Sequence, residues 1–350
     1  MSFARMPRVV FMVGVAALLG SLAVPARAVT IDWVTVGNPG NANDPATGGV
    51  YGAVAYDYQI GKYDVTISQY AAFLNAADPT GTNPNGIYKP DMETDLNSAG
   101  ISYTSGASAG SKYAVINNGG DSGNRPITYV DWFDAARFAN WMTNGQGSGS
   151  TETGAYTLNN ATSGNAVAVN PGAAFRLPTI DEWYKAAYYS PNYGGVGSPG
   201  YYAYATQSDT APGNTIGGGA NQANYRLNGT VYSVTQSSSY SSSQNYLTDV
   251  GAFSGSGSFY GTFDQSGNVF QWIDLDVTPV TDAGWGGGSW TNTSASGVSR
   301  INVGSQDPTD YRVNSGFRLA APVPEPSTCA MALAGLTCGG YTIFRRRKRA

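Results

Sequence analysis

The sequence predicts an α+β fold with few helices, short strands and long polar loops. Charged residues make up only 12% of the 350-residue chain, about half the usual ~25% share, and Gly, Ser, Asn, Thr and Tyr fill the gap. Only three segments keep a helical apolar period behind a start signal. Stretches at 92–124, 145–174 and 207–247 are rich in Gly, Ser, Asn and Thr without apolar periodicity. They read as loops or weak hairpins rather than linkers, because periodic segments resume after each one.

The elements follow in chain order. GGVYGAVAY (48–56) and DYQIGKYDV (57–65) have the aromatic and β-branched content of strands. In YDVTISQYAAFLNA, Thr66 and Gln69 are spaced as a capping box, with Val65 and Tyr70 placed as its hydrophobic staple. In RPITYVDWFDAARFANWMTNG, Asp131 can cap a helix. Trp132, Ala135, Ala136, Ala139 and Met142 keep its period, and Asn144-Gly145 supplies the stop. In FRLPTIDEWYKAAYY, Thr179 and Glu182 form another capping box ahead of Trp183, Ala186 and Ala187.

The ends have other signatures. Arg5 and Arg8, the apolar run VVFMVGVAALLGSLAV and the small-x-small Ala26-Arg27-Ala28 read as a secretory signal over residues 1–28, with an uncleaved membrane anchor as the alternative. The mature chain is therefore expected to begin near Val29, outside the cytoplasm. From 322 to 350 the chain carries Pro324-Glu325-Pro326, an apolar segment from Ser327 to Phe344 and five consecutive basic residues. The apolar run approaches the ~20 residues a membrane helix needs, and the basic cluster is expected to stay cytoplasmic.

Between the ends, about 11 basic residues face about 22 acidic ones, a net charge near −11. An acidic surface repels phosphate backbones, so nucleic acid is not an expected partner. Both cysteines, Cys329 and Cys338, lie in the apolar tail, and the chain has no histidine. Ser-His-Asp triads, Cys-His dyads and imidazole metal sites are thereby excluded. The segment 29–321 is long enough for one core stabilised by burial alone.

Six pieces carry a family resemblance: YQIGKYDVTISQYAAFLNA, RPITYVDWFDAARFANWM, FRLPTIDEWYKAAYY, VGAFSGSGSFYGTFDQSGNVFQW, GWGGGSW and NSGFRLA. Together they cover nearly all of 29–321, which resembles the formylglycine-generating enzyme, or sulfatase-modifying factor, family. The resemblance implies a compact, largely irregular α+β domain related to C-type lectin-like folds. It also implies a founding activity that oxidises a sulfatase cysteine with copper held by two cysteines. Those two positions fall on Ser296 and Ile301, beside Arg300. No thiolate is present to select monovalent copper, so neither copper nor that chemistry is expected.

The resemblance also implies calcium. A first site takes Asp264, the carbonyls of Gly267 and Val269, and Gln271; a second takes Asn224 and the Tyr225 carbonyl. The alternative is a loop closed by Asn and Asp side chains with no ion. Glu182 reads as a helix cap rather than a base, Arg176 and Arg318 as loop-holding cations, and the tryptophans as core. Asp274 and Asp276 read as solvated strand acids rather than glycosidase carboxylates.

The C-terminal tail resembles the PEP-CTERM sorting signal, which implies recognition by an exosortase-type protease and a transient inner-membrane stay. The expected function is a non-catalytic domain displayed at the cell envelope, binding a glycan such as exopolysaccharide, a peptide or a surface protein. An oxidoreductase with a diverged active site is the alternative.

Overall fold

The computed structural model describes residues 28–275 and 282–324. The architecture is α+β, with short strands in small sheets and few helices. Strand β1 (Trp33–Val36) pairs antiparallel with β2 (Tyr58–Gly61) in the register Trp33↔Gly61. The DYQIGKYDV segment thus yields β2, whose Tyr58 and Ile60 are fully buried. The GGVYGAVAY segment does not form a strand. Its backbone is held by amide side chains instead: Asn43 Nδ2 donates to the Gly49 carbonyl (2.8 Å), Asn43 Oδ1 accepts from Ala53 N (2.7 Å), and Asn41 Nδ2 donates to the Gly52 carbonyl (2.7 Å). Side-chain amides that mimic a strand partner remove the need for one.

The capping signals place the helices. Helix α1 (Ile67–Ala77) starts at a complete Thr66–Gln69 capping box. A short helix α2 (Asp91–Thr94) and the hairpin β3 (Ile101–Tyr103) and β4 (Tyr113–Val115) occupy the first polar stretch. Helix α3 (Trp132–Thr143) is capped by Asp131, with Asp134 closing the box from N3. Helix α4 (Ile180–Tyr188) has the Thr179–Glu182 box, and β5 (Tyr189–Ser190) and β6 (Gly200–Tyr201) follow.

Strand β7 (Phe270–Ile273) pairs antiparallel with β8 (Ala283–Gly286), which pairs with β9 (Val303–Gln306). Strand β10 (Ser315–Phe317) adds in parallel to β7, and β11 (Ala320–Pro322) returns to β2. One short segment, NSGFRLA, therefore joins both main sheets.

Rings fill the core. Phe138 lies between α1 and β10, with Tyr70 at 6.1 Å, Phe73 at 5.4 Å, Trp141 at 5.5 Å and Phe317 at 5.3 Å between centroids. Trp132, Trp141, Trp183, Trp272 and Trp290 are all buried, as the core reading expects. A second cluster packs Trp183, Tyr184 and Tyr188 of α4 against Tyr201. Among the described residues no helix is long and apolar enough to cross a membrane; the apolar C-terminal segment lies outside them.

Buried charge binds these layers. Glu182 is fully buried; its carboxylate caps Thr179 N (2.9 Å), accepts both Arg176 amino groups at 2.5 Å and receives the Tyr56 hydroxyl at 3.0 Å. Asp274 is not the solvated strand acid expected. Its carboxylate accepts from the Tyr156 hydroxyl (2.6 Å) and Trp132 Nε1 (3.2 Å), and burial raises its pKa to about 7. Asp276 lies outside the described residues.

A carboxyl whose folded pKa is raised favours the protonated state in the fold. Its stabilising contribution is complete below the unfolded value near 3.9 and is lost as pH rises through about 7. Asp274→Asn keeps an acceptor for Tyr156 and cannot ionise. Its stability relative to wild type is therefore expected to rise between pH 4 and pH 8, and to level off above that. Urea denaturation of both proteins across this range measures the difference; a gap that stays constant with pH would contradict the burial of a titrating Asp274.

Candidate functional site

The Gly-rich stretch after β8 turns sharply. Gly288 has φ of 75°, and a Cβ there would lie 2.2 Å from the Gly297 carbonyl oxygen, so only glycine permits the approach. The loop is then tied by hydroxyls and amides. Asn292 Oδ1 accepts from Ser289 N at 2.7 Å, and Asn314 Nδ2 donates to Ser289 Oγ (3.0 Å) and Thr291 Oγ1 (2.8 Å).

The positions that the resemblance gives to the copper-binding cysteines follow in this loop. Ser296 lies in a 3₁₀ turn (Ala295–Val298) with its hydroxyl bonded to Ser294 Oγ at 2.8 Å. Ile301 is 64% exposed. Arg300 turns inward, donating to the Tyr201 carbonyl at 2.6 Å and pairing with Asp44 at 3.2 Å. A bonded hydroxyl, an alkyl group and a paired guanidinium offer a soft metal nothing to bind.

Trp290, which ends GGSW, starts a ladder of rings. It stacks on Tyr246 (5.0 Å, 16° between planes), and Tyr246 stacks on Tyr240 (5.9 Å, 13°). Tyr232 packs on Tyr246 at 4.3 Å. Trp290 and Tyr246 are buried, whereas Tyr240 is 58% exposed. The ladder thus runs from the core to the surface. The Ser-rich run at 237–243 supplies its outermost ring, which composition alone did not single out.

The side chains expected to hold calcium have protein partners. Gln271 Oε1 accepts from Trp183 Nε1 (2.6 Å) and Arg318 Nε (2.7 Å), and its Nε2 donates to the Asp264 carbonyl (2.9 Å). The Asp264 carboxylate accepts from Gly251 N at 2.7 Å, and burial raises its pKa to about 6. Gly267 N donates to the Gly287 carbonyl (2.7 Å), and Val269 packs with Trp290 and Tyr246. At the second position, Asn224 Nδ2 donates to the Tyr246 carbonyl and to Asn268 Oδ1, both at 3.0 Å. The Tyr225 carbonyl receives Asn214 Nδ2 (3.2 Å) and Ser233 Oγ (3.3 Å).

Arg318, bonded to Gln271, sets a cation beside these residues, which opposes a second cation there, and side chains of the loop close it on themselves. Among the described residues no group of three or more His, Cys, Asp or Glu could hold a metal. Sequence reasoning passed over Asn268, the centre of that closure. Asn268 is fully buried at φ 66°. Its N donates to the Asn224 carbonyl (2.9 Å), its Nδ2 to the Thr248 carbonyl (3.2 Å), and its carbonyl accepts from Trp290 N (2.9 Å). Gly-Asn ahead of an apolar strand was the available signal, since Asn tolerates the left-handed region.

Arg318 is fully buried and donates to five acceptors: Gln271 Oε1, the carbonyls of Gly61 (3.0 Å), Lys62 (3.5 Å) and Phe263 (2.7 Å), and Asp64 Oδ1 (3.0 Å). Burial lowers its pKa, and Asp64 opposes that shift.

A mixed α+β scaffold, closed by a buried arginine and an asparagine lock and lacking any thiol or imidazole at its Gly-rich loop, is the class of domain these features define. Residues 39–323 match the model of the sulfatase-modifying factor enzyme 1-like (FGE-sulfatase) domain, and the chain belongs to that family. Among solved structures it is similar to CarF (22% identity, TM-score 0.46, 85% of this chain and 100% of that one). It is also similar to variable protein 1 of Treponema denticola (16%, TM-score 0.48, 85% and 97%) and to PvdO from Pseudomonas aeruginosa (17%, TM-score 0.44, 84% and 92%). A comparison with curated proteins finds no match.

Two measurements check this site. Arg318→Met leaves Asp64 buried without its cation and removes one of the two donors to Gln271 Oε1, and is expected to cost about 3–5 kcal/mol in urea denaturation; a loss under 1 kcal/mol would show the guanidinium to be dispensable. Melting temperatures in millimolar calcium and in chelator are expected to coincide. A rise with calcium that Asp264→Ala removes would restore a bound ion to this loop.

Proposed function

We propose that the domain is a non-catalytic binding member of its family, displayed at the cell envelope, where it engages a surface ligand. The observation that carries this reading is the Gly-rich loop itself. Ser296 and Ile301 stand where the resemblance places the copper thiolates, and the only cysteines, Cys329 and Cys338, lie in the tail. A serine hydroxyl stays protonated at neutral pH and is a hard donor, so it does not replace a thiolate toward monovalent copper. What the loop keeps is a rigid frame that presents Trp290 and its ring ladder, and such a frame suits recognition.

The terminal segments supply the address. The signal-like residues 1–28 direct export, and the tail from 322 acts as a PEP-CTERM-type signal for an exosortase-type protease. The tail's apolar segment holds the chain transiently in the inner membrane before processing. Both segments lie almost wholly outside the described residues, and the reading of each rests on the order of its charged, apolar and small residues.

Incubating the protein with a Cys-x-Pro-x-Arg peptide and copper is expected to give no formylglycine above a metal blank. Turnover would instead support the oxidoreductase alternative. Deleting Pro324-Glu325-Pro326 is expected to change processing and surface delivery while leaving the melting temperature of the domain unchanged. Normal processing in the deletion strain would remove the sorting role.

A further inference from the structure

Resting on the binding reading above, we propose that the outer end of the ring ladder is a saccharide platform, taking a neutral polymer of hexopyranoses across Tyr240 toward Tyr311. Tyr240 is exposed yet fixed. Its ring lies nearly parallel to Tyr246, and its hydroxyl donates to Asn97 Oδ1 at 2.6 Å. Asn97 also pins the same loop through Nδ2, which donates to the carbonyls of Ser241 (2.9 Å) and Gln244 (2.8 Å). Ser241 N donates back to the Tyr246 hydroxyl at 2.8 Å. An exposed aromatic ring held at both ends gives up little conformational entropy when a flat apolar face settles on it. The C–H face of a pyranose is such a surface.

A second ring and a hydrogen-bonding edge lie alongside. Tyr129 donates its hydroxyl to Asp95 Oδ2, and Asp95 Oδ1 accepts from the N of Asn97 (3.0 Å), the residue that holds Tyr240, so the two tyrosines are joined through Asp95 and Asn97. Tyr311, 45% exposed, packs edgewise on Tyr129 at 6.5 Å. Asp91 and Asp95, both partly exposed, are acceptors of the kind that sugar hydroxyls donate to. The exposed serines at 238, 239 and 241 to 243 flank Tyr240 with further hydroxyls.

Charge selects the polymer. Lys89, which lies over the Tyr311 ring, is neutralised by Asp131 (3.3 Å) and Asp134 (3.1 Å), and Arg312 is paired with Asp310 (2.8 Å). With these cations paired and Asp91 and Asp95 at the edge, the face repels phosphate, sulfate and uronate groups. It complements a polymer that carries hydroxyls and no acid. Ring stacking of this type is tolerant of sequence and linkage, so affinity is expected to accumulate along a chain rather than reside in one sugar.

Affinity electrophoresis of the full chain in gels containing neutral glucans, mannans or galactans, with alginate as the anionic control, tests the proposal. Retardation of wild type in at least one neutral gel and none in alginate is expected. Tyr240→Ala should weaken retardation at least tenfold while the domain still unfolds in one cooperative transition, and Tyr240→Phe should retain most of it, because the ring does the stacking. Tyr311→Ala should give a smaller loss on long polymers than Tyr240→Ala. Equal retardation of wild type and Tyr240→Ala would move the sugar off this platform while leaving a binding domain. Retardation by alginate alone, or by no polymer of the panel, would overturn the neutral-saccharide assignment. The non-catalytic reading fails separately, by copper-dependent peptide turnover.

Discussion

The guanidinium of Arg318 is the constraint on which the other parts of the fold depend. It sits with no exposure between the end of β2, the loop at 62–64, the turn before β7 and the Gln271 side chain. A buried cation is costly unless every donor finds a partner, and here five N–H groups meet five acceptors. Because those acceptors are spread from Gly61 to Gln271, satisfying the arginine fixes the relative positions of segments that no continuous sheet connects. The parallel pairing of β10 on β7 and the return of β11 to β2 flank it on either side in sequence.

A chain with so little regular structure must satisfy its buried backbone by other means. Side-chain amides do that work in several places. Asn43 and Asn41 hold the 49–54 segment, Asn140 accepts from Tyr156 N and donates to its carbonyl, and Asn268 locks 224 to 248 and 290. An amide carries both donors and acceptors, so one Asn can act as a short strand edge wherever the backbone bends away from a neighbour. The low charge and high Asn, Ser and Gly content are the compositional trace of this construction.

The same economy shapes the site. Gly288 lets the loop pass within contact of Gly297, the Ser289–Asn292–Asn314 network stiffens it, and Trp290 is thereby held where its ring can carry Tyr246 and Tyr240. At this site neutral side chains provide rigidity in place of added charge. Gln271 illustrates the exchange: a neutral amide accepts from Trp183 and Arg318 and donates to the Asp264 carbonyl, joining a helix, a strand and a turn without adding a buried charge.

By itself the sequence determined what depends on near neighbours in the chain. The capping boxes at Thr66, Asp131 and Thr179, the staple and the stop signals are interactions across three or four residues, so their spacing fixed the starts of α1, α3 and α4. The ordered family segments fixed the fold class, and the absence of cysteine from the Gly-rich loop was a matter of reading letters. Tertiary structure alone decided what depends on residues far apart. GGVYGAVAY has strand composition, yet Asn41 and Asn43, beyond the reach of helical spacing, took its hydrogen bonds. Asp274 alternates like a solvated strand acid, yet Tyr156 and Trp132 reach it from more than a hundred residues away. Gln271 and Asp264 are spaced like ion ligands, but Arg318 reaches Gln271 from the end of the domain. The ladder joins Trp290 to Tyr240 across strands and loops of the chain, and no local periodicity announces rings that stack only after the chain has closed around its buried arginine.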